Sequence, residues 1–179
     1  MKNIFFAALL LFIGTALFAQ ETGADKVLFK LPKATVTDMK GTKVNTEKIS
    51  NDGKPIIISF WATWCKPCIK ELTTIADVYE DWQTETGVKL YAVSIDDSRS
   101  SSQVKTLVNG KGWNYEVLLD PNSEFKRAMN VNAVPHTFIL NGKGEVVWQH
   151  TSFSEGAELD VINVVRKLNA GEPLPHLSN

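Results

Sequence analysis

The sequence predicts an α/β domain on three observations. Short, uncharged β-branched runs alternate with stretches of helical periodicity, and turn signals of hairpin type stand near both ends of the series. The 179 residues, 44% hydrophobic and 22% charged, are enough for one core that needs no disulfide or metal staple.

The chain opens on a short positive start, Met1-Lys2-Asn3, and an apolar stretch from Ile4 to Phe18. As a helix that stretch of about 15 residues spans only about 22 Å, short of a hydrocarbon core of about 30 Å. Residues 1–19 therefore read as a signal peptide cut after Ala19, with a cut after Ala16 and an uncleaved anchor as alternatives. Residues 20–26 are polar and read as a flexible leader. The domain runs over 27–179, with an irregular tail from Gly171, where Pro173 and Pro175 bar a continued helix.

Ala34–Thr37 and Thr42–Asn45 flank the turn Asp38-Met39-Lys40-Gly41 and predict a hairpin. Pro55–Trp61 is the run expected of a strand buried on both faces. From Pro67, Ile69, Leu72, Ile75, Ala76, Tyr79 and Trp82 recur every three or four residues, a helix that Gly87 ends. Val88–Ile95 is a second buried strand, Gln103–Val108 a helix, Tyr115–Leu119 a strand, and Asp120-Pro121-Asn122 turns into a short helix through Met129. His136–Leu140 and Glu145–Gln149 form a hairpin about Asn141-Gly142-Lys143-Gly144. A final helix sets Leu159, Ile162, Val165 and Leu168 on its inner face and Glu158, Asp160 and Lys167 on its outer one.

Two cysteines, Cys65 and Cys68, form a single CxxC between the strand and the long helix. A disulfide framework would use more cysteines at wider spacing, and a structural zinc site four ligands, so the pair points to redox exchange. The first sulfur lies over unpaired N–H groups at the positive end of the helix dipole, with Lys66 beside it, and is the expected nucleophile. Cys68, one turn deeper, is the expected resolving thiol. Pro67 is tolerated in a first turn whose N–H groups lack partners anyway, and Trp64 is expected to cover one side of the pair.

The segment Ser59-Phe60-Trp61-Ala62-Thr63-Trp64-Cys65-Lys66-Pro67-Cys68 resembles the active site of thioredoxin-fold proteins. Within them the chain is most similar to TlpA/ResA-like exported thiol-disulfide oxidoreductases, over about Val27–Leu168. The resemblance implies a thioredoxin-like fold: a central mixed sheet flanked by helices, an N-terminal β-hairpin, and a βα insertion before a strand that follows a cis-proline, Pro135. It also implies that Pro135 lies against the sulfurs while the Val134 backbone pairs with a substrate strand. Substrate contacts fall to Trp64, Lys66, Pro67, Val134 and His136.

Thioredoxins proper carry a buried aspartate six residues before the nucleophile, and here that position is Ser59. The resemblance moves the proton relay to the end of the following strand, to Asp97 or, one residue earlier, Asp96. It implies reduction of disulfides in periplasmic or otherwise extracytoplasmic clients, apocytochrome c among them. A membrane thiol carrier is the implied electron donor, and a monomer with no cofactor beyond the cysteine pair is expected. Lys66-Pro67 resembles the reducing members; an oxidase or isomerase is the redox alternative. A copper metallochaperone using Cys65, Cys68 and His136 is the alternative of another class. His150 and His176 join no visible cluster. A formal net charge of -1 gives no nucleic-acid footprint.

Overall fold

The structure is a computed structural model and describes residues 27–175. The expected signal peptide (1–19), the leader (20–26) and the last four residues of the tail (176–179) lie outside the described residues. Phe29–Lys30 (β1) is a two-residue strand that the sequence did not announce. Thr35–Asp38 (β2) and Lys43–Asn45 (β3) form the expected hairpin, where Asp38 Oδ1 accepts from the N–H groups of Lys40 and Thr42, each at 2.8 Å. A 3-10 turn at Thr46–Lys48 follows. The buried Thr46 hydroxyl donates to the Pro32 carbonyl at 2.6 Å and accepts from Ala34 N–H at 2.8 Å, which ties the hairpin down.

Ile56–Trp61 (β4) leads to Lys66–Thr86 (α1), Lys89–Ser94 (β5), Ser101–Lys111 (α2) and Glu116–Leu119 (β6). Glu124–Ala128 (α3), His136–Leu140 (β7), Glu145–Thr151 (β8) and Ala157–Ala170 (α4) complete the series. The strands make one mixed sheet in the order β1-β8-β7-β4-β5-β6-β2-β3. β4, β5 and β6 run parallel, and the other pairings are antiparallel.

All six residues of β4 are buried because both faces are covered. Ile57 and Trp61 meet α1, α2 and α4, while Ile56, Ile58 and Phe60 meet α3 and the N-terminal segment. α1 lays Cys68, Leu72, Ile75, Tyr79 and Trp82 on the sheet and stops at Gly87, whose φ of 68° is the left-handed cap that glycine adopts without strain. The tail reaches this same core through Leu174.

Two helices differ from expectation. α2 extends to Lys111, past the expected Val108. α4 keeps Ile162, Val165 and Leu168 on the core as expected and adds Val161 and Val164, whereas Leu159, expected inside, is 58% exposed and one oxygen of Glu158, expected outside, is buried. The reason lies in how α4 docks. α1 and α4 run in the same direction, joined near their starts by Lys70 and Glu155 at 3.7 Å and near their ends by Glu85 and Arg166 at 2.6 Å. Both helix N-termini thus stand at the end of the sheet where β4 delivers the cysteines.

Candidate active site

β4 ends in a loop that hydrogen bonds hold from beneath. Thr63 N–H and hydroxyl donate to the Asp96 carboxylate at 2.9 and 2.6 Å, and the Ser94 hydroxyl donates to the same group at 2.8 Å. Asp96, 2% exposed at the end of β5, is thereby a clamp on the turn that carries Trp64 and Cys65. Cys65 N–H closes that turn onto the Ala62 carbonyl at 3.1 Å.

Cys65 is the N-cap of α1 and is disulfide-bonded to Cys68. Its sulfur accepts from Cys68 N–H at 3.3 Å, so an orphan donor of the first helical turn is aimed at the sulfur that the sequence picks as nucleophile. The same sulfur lies 3.8 Å from the Val134 carbonyl, and the Val134-Pro135 peptide is cis, as the resemblance implied. Cys68 is wholly buried. Trp64, 68% exposed, stands at the surface beside the pair together with the exposed Lys66 and Pro67.

Glu71, one turn beyond Cys68 on the same buried stripe, is the group that the sequence reading passed over. It is 3% exposed; Thr137 donates to its Oε1 at 2.8 Å, and Oε2 has no partner. Burial first, and the negative charge of Glu158 beside it, push its carboxyl up to about 7, against the opposing pull of the Thr137 hydrogen bond. Ser59, the thioredoxin aspartate position, stands opposite Thr137 in the sheet with its hydroxyl buried and unpartnered. The signal available in the sequence was the spacing: an acid three residues after Cys68 falls on the inward face of the helix.

Asp97 has a different occupation. Its carboxylate accepts from Ser100 hydroxyl and N–H at 2.7 and 3.0 Å and pairs with Arg99 at 3.1 Å, shaping the turn into α2. Those hydrogen bonds, Ser100 foremost, hold its carboxyl down to about 2.

His136 is buried, stacked on Phe138 with ring centroids 4.3 Å apart, and its Nε2 lies 3.2 Å from Gln149 Oε1. Burial lowers its basicity. Among the described residues, with Cys65 and Cys68 in a disulfide, no three His, Cys, Asp or Glu side chains converge where a metal ion could be held. His150 stacks on Trp148, and His176 lies outside the described residues.

Residues 27–149 match the profile of the AhpC/TSA family. The thiol-disulfide oxidoreductase ResA of Geobacillus kaustophilus (strain HTA426) is 30% identical over 150 residues, covering 82% of this chain and 83% of that protein. ResA of Bacillus subtilis (strain 168) is 29% identical over 136 residues, covering 75% and 73%. The solution structure of a thioredoxin-like protein from Porphyromonas gingivalis superposes with a TM-score of 0.71 at 52% identity, covering 78% of this chain and 92% of that one.

Proposed function

Because this chain belongs to the AhpC/TSA family, and within it is a thioredoxin-like thiol-disulfide oxidoreductase of the ResA type, we propose that it reduces the disulfides of extracytoplasmic client proteins through Cys65 and Cys68. The observation that carries this reading is the Cys65 sulfur capping α1, where a first-turn N–H and the helix dipole stabilise the departing or attacking thiolate.

The cycle begins with the dithiol. Cys65 thiolate attacks one client sulfur; the client S–S bond breaks, and the second client sulfur leaves with the electron pair and takes a proton. The Cys68 S–H bond then breaks and its sulfur attacks Cys65 Sγ. The Cys65–Cys68 bond forms as the client departs reduced, two electrons richer. Glu71, buried one turn from Cys68 with one oxygen free, is the base that receives the Cys68 proton. Asp97, held near 2 and engaged with Ser100 and Arg99, is a poor base at neutral pH and serves the α2 turn instead.

Pro135 offers no N–H beside the sulfurs, which leaves the Val134 backbone to pair with an extended client strand, and Trp64, Lys66, Pro67 and His136 frame the approach. Export rests on the signal-peptide reading of residues 1–19; no helix among the described residues is long and apolar enough to cross a membrane. A CxxCH dithiol of an apocytochrome c is a client of the required chemistry, and a membrane thiol carrier would return the electrons.

Insulin reduction by the dithiol form tests the cycle. Cys65→Ser is expected to abolish it, and Cys68→Ser to trap a client mixed disulfide; turnover retained in Cys65→Ser would overturn the reading. Direction is tested by the equilibrium potential, expected near the thioredoxin value of about -270 mV, whereas a value near about -120 mV would make the protein an oxidase.

A further inference from the structure

Two carboxyl oxygens near the cysteine pair are buried without a hydrogen-bond partner: Glu71 Oε2 and Glu158 Oε2. They belong to different helices. Glu158 sits in the first turn of α4 on the stripe that continues through Ile162 and Val165, and one of its oxygens is buried. The Lys70–Glu155 and Glu85–Arg166 contacts set the two helices side by side in the same direction, which brings the first turn of α4 level with the first turns of α1. The field of Glu158 acts on Glu71 and favours its protonated form. Glu158 as a whole is only half-buried, so it joins the interior to solvent, whereas Glu71 is enclosed.

The negative charge of Glu158 opposes ionisation of the enclosed Glu71, and that opposition is relieved when Glu71 holds a proton. We propose that Glu158 is a positioning residue of the redox site: its carboxylate acts on the carboxyl of Glu71 from the first turn of α4 and passes protons between Glu71 and solvent. The inference rests on Glu71 being the base for Cys68. When Cys68 attacks the mixed disulfide its proton passes to the Glu71 carboxylate, the S–S bond to Cys65 forms, the client sulfur leaves with its electron pair, and the proton returns to water by way of Glu158. Neither carboxyl is changed over a cycle.

The other titratable groups facing Glu71 are Cys68 on its own helix and Tyr115, whose hydroxyl donates to the Leu72 carbonyl at 3.1 Å. β4 and β7 present Ser59 and Thr137 on this side, with His136 on the opposite face of β7 against Phe138. Around Glu158 stand Asp160 in the same turn and the Lys70–Glu155 pair at the rim.

The test uses the full chain with Cys65 loaded as a mixed disulfide with thionitrobenzoate. Release of the chromophore by Cys68 is followed against pH, and the Glu71 carboxyl is titrated by 13C NMR, assigned by its absence in Glu71→Gln. In Glu158→Gln both midpoints are expected to move to lower pH, because the like charge beside Glu71 is gone. Glu158→Ala, which needs no amide to be accommodated, should give the same shift. Midpoints equal to wild type in both variants would overturn the inference while leaving Glu71 as the base. A release profile unchanged in Glu71→Gln would overturn the base itself, and this inference with it.

Discussion

Glu71 owes its chemistry to its neighbours rather than to its residue type. One hydroxyl, from Thr137, is all that solvates it, so Thr137→Val leaves a buried carboxyl with no partner. The expected result is a loss of stability of about 1–3 kcal/mol by denaturant unfolding, together with a shift of the Cys68 release profile to higher pH, since the bond removed is the one that lowers the Glu71 carboxyl. Asp97→Asn is expected to loosen the turn into α2 and lower the melting temperature, with the Cys68 release profile unchanged; a shifted profile would return Asp97 to the proton path. The place of the cysteine pair at the start of α1 was legible in the sequence because strand, CxxC and helix are contiguous. The base was not. Whether a glutamate on an apolar stripe turns inward depends on what faces it, and here that is Thr137, more than sixty residues away, with Ser59 in place of a larger side chain.

Among the elements, those that carry their own periodicity were read correctly. β4 and α1 lie where the uncharged run and the three-and-four spacing placed them, and the hairpin of β2 and β3 turns at Asp38 as expected. β1 escaped notice because two residues have no periodicity; they are a strand only through their register with Val146 and Glu145 of β8. On α4, Ile162, Val165 and Leu168 lie inward as expected and only Leu159 does not, since it fits a helical apolar stripe as well as Val161 does and only docking on α1 selects between them. The turn between β7 and β8 rests on a close approach: a Cβ at Gly142 would collide with the Gly53 carbonyl. Gly142→Ala is therefore expected to cost about 1–3 kcal/mol in denaturant unfolding, with disulfide exchange per folded molecule preserved, because the turn lies away from the cysteines.

For the molecule as a whole, burying a protonated Glu71 makes stability depend on pH. The folded chain keeps this carboxyl at about 7 against an ordinary value of 4.5, so the stabilising effect is complete below 4.5 and lost as pH rises through 7. At about 1.4 kcal/mol per unit this is about 3 kcal/mol at most. Urea unfolding of the disulfide form is expected to show a larger loss between pH 5 and pH 8 in wild type than in Glu71→Gln by up to that amount; equal losses would mean that Glu71 is not buried as a neutral acid. Trp64 has a consequence of another kind. Of the five tryptophans, Trp61, Trp82, Trp113 and Trp148 are enclosed, and Trp64 alone is open, next to the reactive sulfur. A water-soluble quencher such as iodide thus meets a single indole, and the light it extinguishes is a label-free gauge of whether a client occupies the site: quenching should fade as a trapped mixed disulfide forms in Cys68→Ser and vanish in Trp64→Phe.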